Sequence, residues 1–135
     1  MYELSFDAKA AQEHTNKYFK VNPSPYNKGL VLRKDGVVIA ASVYELYNGS
    51  NIHLHCAGTP GTFWLTRGFL YNTFHFPFKQ LGCNRITTTV NADNAPSIRL
   101  TEHLGFNLEA ILARAGAKGQ DVRMYVMFRE DCRHV

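Results

Sequence analysis

The chain has 135 residues, 45% hydrophobic and 19% charged, with a formal net charge of +4 at pH 7 and three cysteines. That is enough for one domain, residues 1–135, with a core of its own; it excludes a disordered polyelectrolyte and a disulfide-stapled miniprotein. The positive balance favours an anionic partner, whether a phosphorylated cofactor, nucleic acid or an acidic protein surface, without choosing among them. No apolar run reaches membrane-spanning length. Cys56, Cys83 and Cys132 stand at unrelated spacings, and Met1–Phe6 lacks a basic start followed by an apolar stretch, so the expected compartment is the cytoplasm.

In chain order, Met1–Phe6 alternates weakly and suits a short strand. Asp7 can cap a helix over Ala8–Phe19, which Asn22-Pro23-Ser24-Pro25 ends. Two hairpins follow in series, turning at Asp35-Gly36 and at Tyr47-Asn48-Gly49-Ser50, so residues 29–57 read as three antiparallel strands. Ala57-Gly58-Thr59-Pro60-Gly61 is a break. It opens Thr62–Leu81, where Phe63, Leu70, Phe74 and Phe78 suit the buried face of a helix that Pro77 should kink near Thr73. Asn84–Val90 is rich in β-branched residues and reads as a strand.

The next stretch, Asn94 to Phe106, carries agreeing start and stop signals. Asn94 is a good N-cap, Pro96 falls in the first turn where its missing N–H costs little, and Gly105 supplies a left-handed stop. Leu108–Arg114 satisfies helix and strand equally. Val122, Met124, Val126 and Phe128 alternate as a final strand. Strand Ile52–Ala57, helix and strand Asn84–Val90 form a βαβ crossover within an otherwise antiparallel sheet. A ligand crevice is expected outside the carboxyl ends of the two parallel strands, at Cys56–Thr66 and Val90–Ser97.

Four features at collinear spacing resemble the GCN5-related N-acetyltransferases (GNAT family). They are Phe78-Lys79-Gln80-Leu81-Gly82 with Arg85-Ile86, Asn94 with Ser97, Leu104-Gly105-Phe106 with Glu109, and Gly119–Arg129 with Tyr125 and Met127. The likeness is to the branch that acetylates ribosomal-protein N-termini and to short phage-borne members. It implies an α/β (α+β) mixed, mostly antiparallel sheet with a V-shaped cleft for acetyl-CoA, and acetyl transfer to a primary amine on a protein N-terminus, a lysine or a small molecule. By the same resemblance, Asn94 and Ser97 would hold the pantetheine end, and a strand amide near Leu54–Cys56 would polarise the acetyl carbonyl. The loop Gly61, Thr62, Phe63, Trp64, Leu65, Thr66 and Arg67 would meet the pyrophosphate, in place of the family's glycine-rich signature. Ser97 would assist the leaving thiolate, Thr101 standing where many relatives carry a tyrosine. His55 or Glu45, with His53 beside them, would aid deprotonation of the amine.

Other readings of the same residues stay open. Phe63, Trp64 and Thr101 also suit a degenerate member of the fold that binds without turnover, such as a virion-associated protein. Lys17-Tyr18-Phe19-Lys20 interleaves basic and aromatic residues as a nucleic-acid surface does, but the modest charge favours an amphipathic helix end. His53 and His55 share a strand face, yet with Cys56 or His75 they lack a further ligand at metal-site spacing, so no metal is expected. A homodimer is compatible with the sequence, and a membrane partner is not expected.

Overall fold

The structure, a computed structural model, describes residues 1–135. Strand β1 (Tyr2–Phe6) leads into helix α1 (Ala8–Thr15), and Asp7 caps that helix by accepting from the Ala10 amide at 3.0 Å. The helix stops short of the expected Phe19. Past Thr15 the chain continues as tighter turns, with the Lys17 amide on the His14 carbonyl at 3.2 Å and the Tyr18 and Phe19 amides both on the Thr15 carbonyl at 3.0 and 3.1 Å. Asn16 Oδ1 accepts from Gln12 Nε2 at 3.2 Å and from the Val21 amide at 3.5 Å. Strands β2 (Lys28–Lys34) and β3 (Val37–Glu45) meet at Asp35-Gly36, both left-handed as a tight hairpin demands, and β4 (Asn51–Gly58) follows.

The expected helix over Thr62–Leu81 is corrected at both ends. Thr62 bonds back to the Thr59 carbonyl through its amide (3.3 Å) and its hydroxyl (2.7 Å), holding residues 59–62 as a turn. Helix α2 therefore begins at Arg67 and runs to His75, with Thr66 as cap on the Phe69 amide at 3.1 Å. Phe63 is accordingly 72% exposed, and Phe69 takes the buried place instead. At the far end the α-helix gives way at His75, two residues before Pro77. The backbone widens into a π turn over Phe76–Gln80, closed by the Leu81 amide on the Phe76 carbonyl at 2.9 Å. Proline cannot supply the donor that the Thr73 carbonyl would receive in a regular helix. The buried Tyr44 hydroxyl supplies it from the sheet at 2.6 Å, beside a 2.9 Å contact between Ser42 Oγ and Thr73 Oγ1.

Strand β5 (Arg85–Asn91) leads to α3 (Ala95–Leu104), where the sequence signals hold. Asn94 Oδ1 accepts from the Ser97 amide at 3.2 Å, Gly105 stops the helix at φ 108°, and the Phe106 amide reaches the Thr101 carbonyl at 3.3 Å. The ambiguous stretch is strand β6 (Asn107–Leu112), tethered by Glu109 to Arg85 through bonds of 2.9 and 3.2 Å; β7 (Val122–Phe128) completes the chain's strands.

The sheet order is β1-β2-β3-β4-β5-β7-β6; only β4 and β5 are parallel neighbours. This is the expected α+β mixed sheet. Strand alternation splits its apolar residues between two faces. Leu30, Leu32, Tyr44, Ile52, Leu54, Ile86 and Tyr125 meet α2 and α3 through Phe69, Phe74, Phe78, Leu104 and Phe106. Val31, Ala41 and Val43 meet Ala11 and Val21 beneath α1. No helix is long and apolar enough to cross a membrane.

Candidate functional site

The site begins where two neighbouring strands part. Strands β4 and β5 pair at Asn51–Arg85, Ile52–Ile86 and His53–Thr87, then separate while β4 continues to Gly58 and β5 to Asn91. The Thr59 amide donates to the Ile39 carbonyl at 2.8 Å, which fixes the phase of the β3–β4 ladder. By alternation His53, His55 and Ala57 turn their backbone groups to β3, and Leu54, Cys56 and Gly58 turn theirs to β5. The Leu54 carbonyl is taken by Thr88 Oγ1 at 2.7 Å. The Cys56 amide lies beyond the last paired residue and faces the gap.

A cavity of about 430 Å³ fills that gap. Its walls include Leu54, His55 and Cys56 from β4, Thr88–Asn91 from β5, and Asn94, Ser97 and Thr101 from the N-terminal half of α3. Phe19, Lys20 and the β6–β7 connection at Ala115–Ala117 close the sides. The V-shaped cleft is thus present, with one lip at the Val90–Ser97 expected from sequence.

Cys56 faces the gap with its backbone amide. Burial pushes the thiol up to about 12, and Ser42 Oγ lies 3.8 Å from it, so it is protonated and unreactive at neutral pH. Ser97 sits in the first turn of α3, where the cap engages its amide and leaves its hydroxyl outside that bond. Thr101, one turn on, is almost buried.

His55 projects from the opposite face of β4 to Cys56, its ring 5.8 Å from that of Phe19. Burial lowers its pKa from the ordinary 6.5 to about 4, so the imidazole is neutral at physiological pH. Glu45 Oε2 stands 3.5 Å from Nε2, yet Nε2 has no hydrogen-bond partner, and burial raises the Glu45 carboxyl as well. The contact is a carboxylate beside a neutral ring rather than an ion pair. Glu45 does not line the cavity and reaches it only through His55. No group of three His, Cys, Asp or Glu side chains is arranged to hold a metal ion.

Of the other expected lip, Cys56–Thr66, Cys56 lines the cavity. None of Gly61, Thr62, Phe63, Trp64, Leu65, Thr66 or Arg67 lines the cavity. The Phe63 carbonyl accepts from Tyr2 Oη of β1 at 3.2 Å, and a Cβ added at Gly68 would lie 3.5 Å from Leu4 of the same strand. Trp64 lies on Gly58 so closely that a Cβ there would sit 1.9 Å from Cε2, and its ring meets Phe69 edge-on at 6.0 Å. Beside Cys56 and Ser97 the gap presents a backbone amide and a hydroxyl. The N-terminus of α2 is not on its walls, that of α3 is, and the one cationic side chain there is Lys20.

Sequence reasoning missed Leu54 as a carbonyl needing a partner, Thr88 as that partner, and Phe19, Lys20 and Ala115–Ala117 as walls. The Thr87-Thr88-Thr89 run was a visible signal, but it reads equally as ordinary strand composition.

No family model matches the chain, and no curated protein matches it. Solved structures do. A spermidine/spermine N-acetyltransferase from Vibrio cholerae, in complex with manganese ions, aligns with a TM-score of 0.77 at 13% identity, covering 96% of this chain and 93% of that one. The same enzyme in a dodecameric structure gives 0.77 at 13%, with 96% and 94% covered. A GNAT-family acetyltransferase from Bacillus anthracis gives 0.63 at 21%, with 77% and 66% covered. At these identities the likeness establishes the fold: a seven-stranded mixed sheet with three helices, as in the GNAT acetyltransferases.

Proposed function

We propose that the chain is an N-acyltransferase that passes an acetyl group from the thioester of acetyl-CoA to a primary amine by direct attack in a ternary complex. The observation that carries this reading is the Cys56 amide, without a strand partner, facing a cavity whose other wall is the capped first turn of α3. The acetyltransferase fold supports it.

In this reading the thioester oxygen accepts a hydrogen bond from the Cys56 amide. The amine nitrogen attacks the carbonyl carbon, negative charge gathers on that oxygen, and an amide already held by the β3 ladder meets it without reorganising. The carbon–sulfur bond then breaks, with the Ser97 hydroxyl hydrogen-bonding to the departing sulfur. The products are an amide and a thiol, the amine's proton ending on the thiolate or in solvent. A cationic amine must first lose a proton, and Glu45 with neutral His55 offers a water-relayed path from the α1 face. Asn94 would position the pantetheine, and Gly61–Arg67 the nucleotide end, once that loop reaches it. The acceptors to compare are a polyamine, on which the Vibrio cholerae neighbour is described as acting, a peptide N-terminus and a lysine. We place the protein in the cytoplasm, and light scattering tests whether it is a homodimer.

A second reading has its own observation. Trp64 on Gly58 and a helix start at Arg67 keep residues 61–67 and the N-terminus of α2 off the cavity walls, which suits a degenerate binding member of the fold. Calorimetry and thermal melting with acetyl-CoA separate the two. Under the first reading, binding heat and a raised melting temperature appear, thiol is released on adding amine, and Ser97→Ala lowers kcat roughly tenfold with little change in KM. No heat and no melting shift at millimolar acetyl-CoA leave only the second.

A further inference from the structure

The two backbone groups that β4 turns into the cleft at its apex are the Leu54 carbonyl and the Cys56 amide, successive positions on one strand edge. They have opposite electrostatic sense. The amide hydrogen stabilises a developing oxyanion, and a bare carbonyl oxygen beside it repels one. Had the ladder continued, a β5 amide would have covered that carbonyl. It ends at His53–Thr87. Leu54 is 2% exposed, and with the ladder ended its carbonyl has no backbone partner on β5.

We propose that Thr88 is a positioning residue for acyl transfer, acting through the β4 edge. Its hydroxyl donates to the Leu54 carbonyl at 2.7 Å, bridging the strands at the first position where their backbones no longer reach. The bond does two things. It fixes where the strands part, and therefore which amide, Cys56, is the first to face the gap. It also occupies the Leu54 oxygen, so the edge beside the reacting carbonyl presents a donor and a neutralised acceptor. Thr88 lines the cavity and β7 holds it from behind, opposite Tyr125. The inference rests on the acyltransferase reading, in which amine nitrogen bonds to the acyl carbon as the carbon–sulfur bond breaks and the thiol departs with a proton.

The test is Thr88→Val, which keeps the shape and loses the hydroxyl, against Thr88→Ser, which keeps the hydroxyl. Thiol-release kinetics with acetyl-CoA and an amine should show kcat lowered roughly tenfold in the valine variant, KM for the thioester within about twofold, and recovery in the serine variant. A structural role alone lowers the melting temperature without that split between kcat and KM. The backbone ¹⁵N–¹H resonances give an arm independent of turnover. The Cys56 amide should shift and exchange faster in Thr88→Val and return in Thr88→Ser. Unchanged kcat in the valine variant, or no rescue by serine, overturns the proposal. Should the wild-type chain turn over no thioester, the acyltransferase reading falls, and the catalytic role of Thr88 falls with it. The amide resonances then decide whether Thr88 sets the β4 edge: a Cys56 resonance indifferent to both variants overturns that too.

Discussion

The two lips of the cleft are built on different principles. On the α3 side, Asn94, Pro96 and Gly105 specify a helix and its ends within a dozen residues, and the Ser97 amide meets its cap with no help from the rest of the fold. On the α2 side, residues 59–66 take their course from distant partners: Tyr2 on the Phe63 carbonyl, Gly58 beneath Trp64, Phe69 against the Trp64 ring. A lip made of local signals keeps its shape when its surroundings change, while a lip made of tertiary contacts moves with them. Asn94 and Ser97, which line the cavity, stand on the first kind of support, and the 59–66 connection stands on the second.

The sharpest way to break that contrast is at Gly58. Alanine there drives a methyl into the Trp64 indole, and about 3 kcal/mol of stability should be lost. Since Trp64 is the single tryptophan, its fluorescence should shift as the ring is displaced, and chemical denaturation followed in parallel gives the energy. The α3 lip should be untouched, with Asn94 and Ser97 resonances in place.

Between the lips, pH acts through His55. Its pKa falls from 6.5 unfolded to about 4 folded, so the unfolded chain binds the proton first as pH drops. Stability is complete above 6.5 and is lost as pH falls from there towards 4, by roughly 3 kcal/mol for this group. His53 and His14, also lowered by burial, add in the same sense, and Glu45, whose carboxyl burial raises, offsets part of it. His55→Gln should flatten the melting temperature between pH 7 and pH 4 relative to wild type. An equal slope in both would show that the ring is not held neutral. The smallest effect belongs to the locally encoded lip: Asn94→Ala removes one capping bond and should cost about 1 kcal/mol, read by denaturation, with the Trp64 signal unchanged.

The same division explains what could be read in advance. The hairpins, the crossover and the α3 caps were legible because turn chemistry, alternation and capping act over a few residues. Thr62–Leu65 carried helical periodicity, but Thr62 found its bonds at Thr59 and Trp64 found Gly58, so tertiary contacts overrode propensity. α1 gave way to tighter turns over Thr15–Phe19, two amides sharing the Thr15 carbonyl, which periodicity does not distinguish from a continuing helix. Thr88 was invisible as anything but a strand former, because its role exists only where β4 and β5 part. His55 was foreseen as a candidate base, but its neutrality comes from burial that a strand pattern does not show.

The bond from Tyr44 to the Thr73 carbonyl has a mechanical consequence. It joins α2 to the middle of the sheet at the helix's far end, beside the Ser42–Thr73 contact and just ahead of the widened turn at Pro77. The helix is therefore clamped like a beam built in at one end, and a load applied to the loop at its other end bends the 59–66 connection rather than sliding the helix along its axis. The clamp meets the β3–β4 ladder at the pair Ser42–Cys56, so the anchored end of α2 bears on a strand position that also faces the cleft.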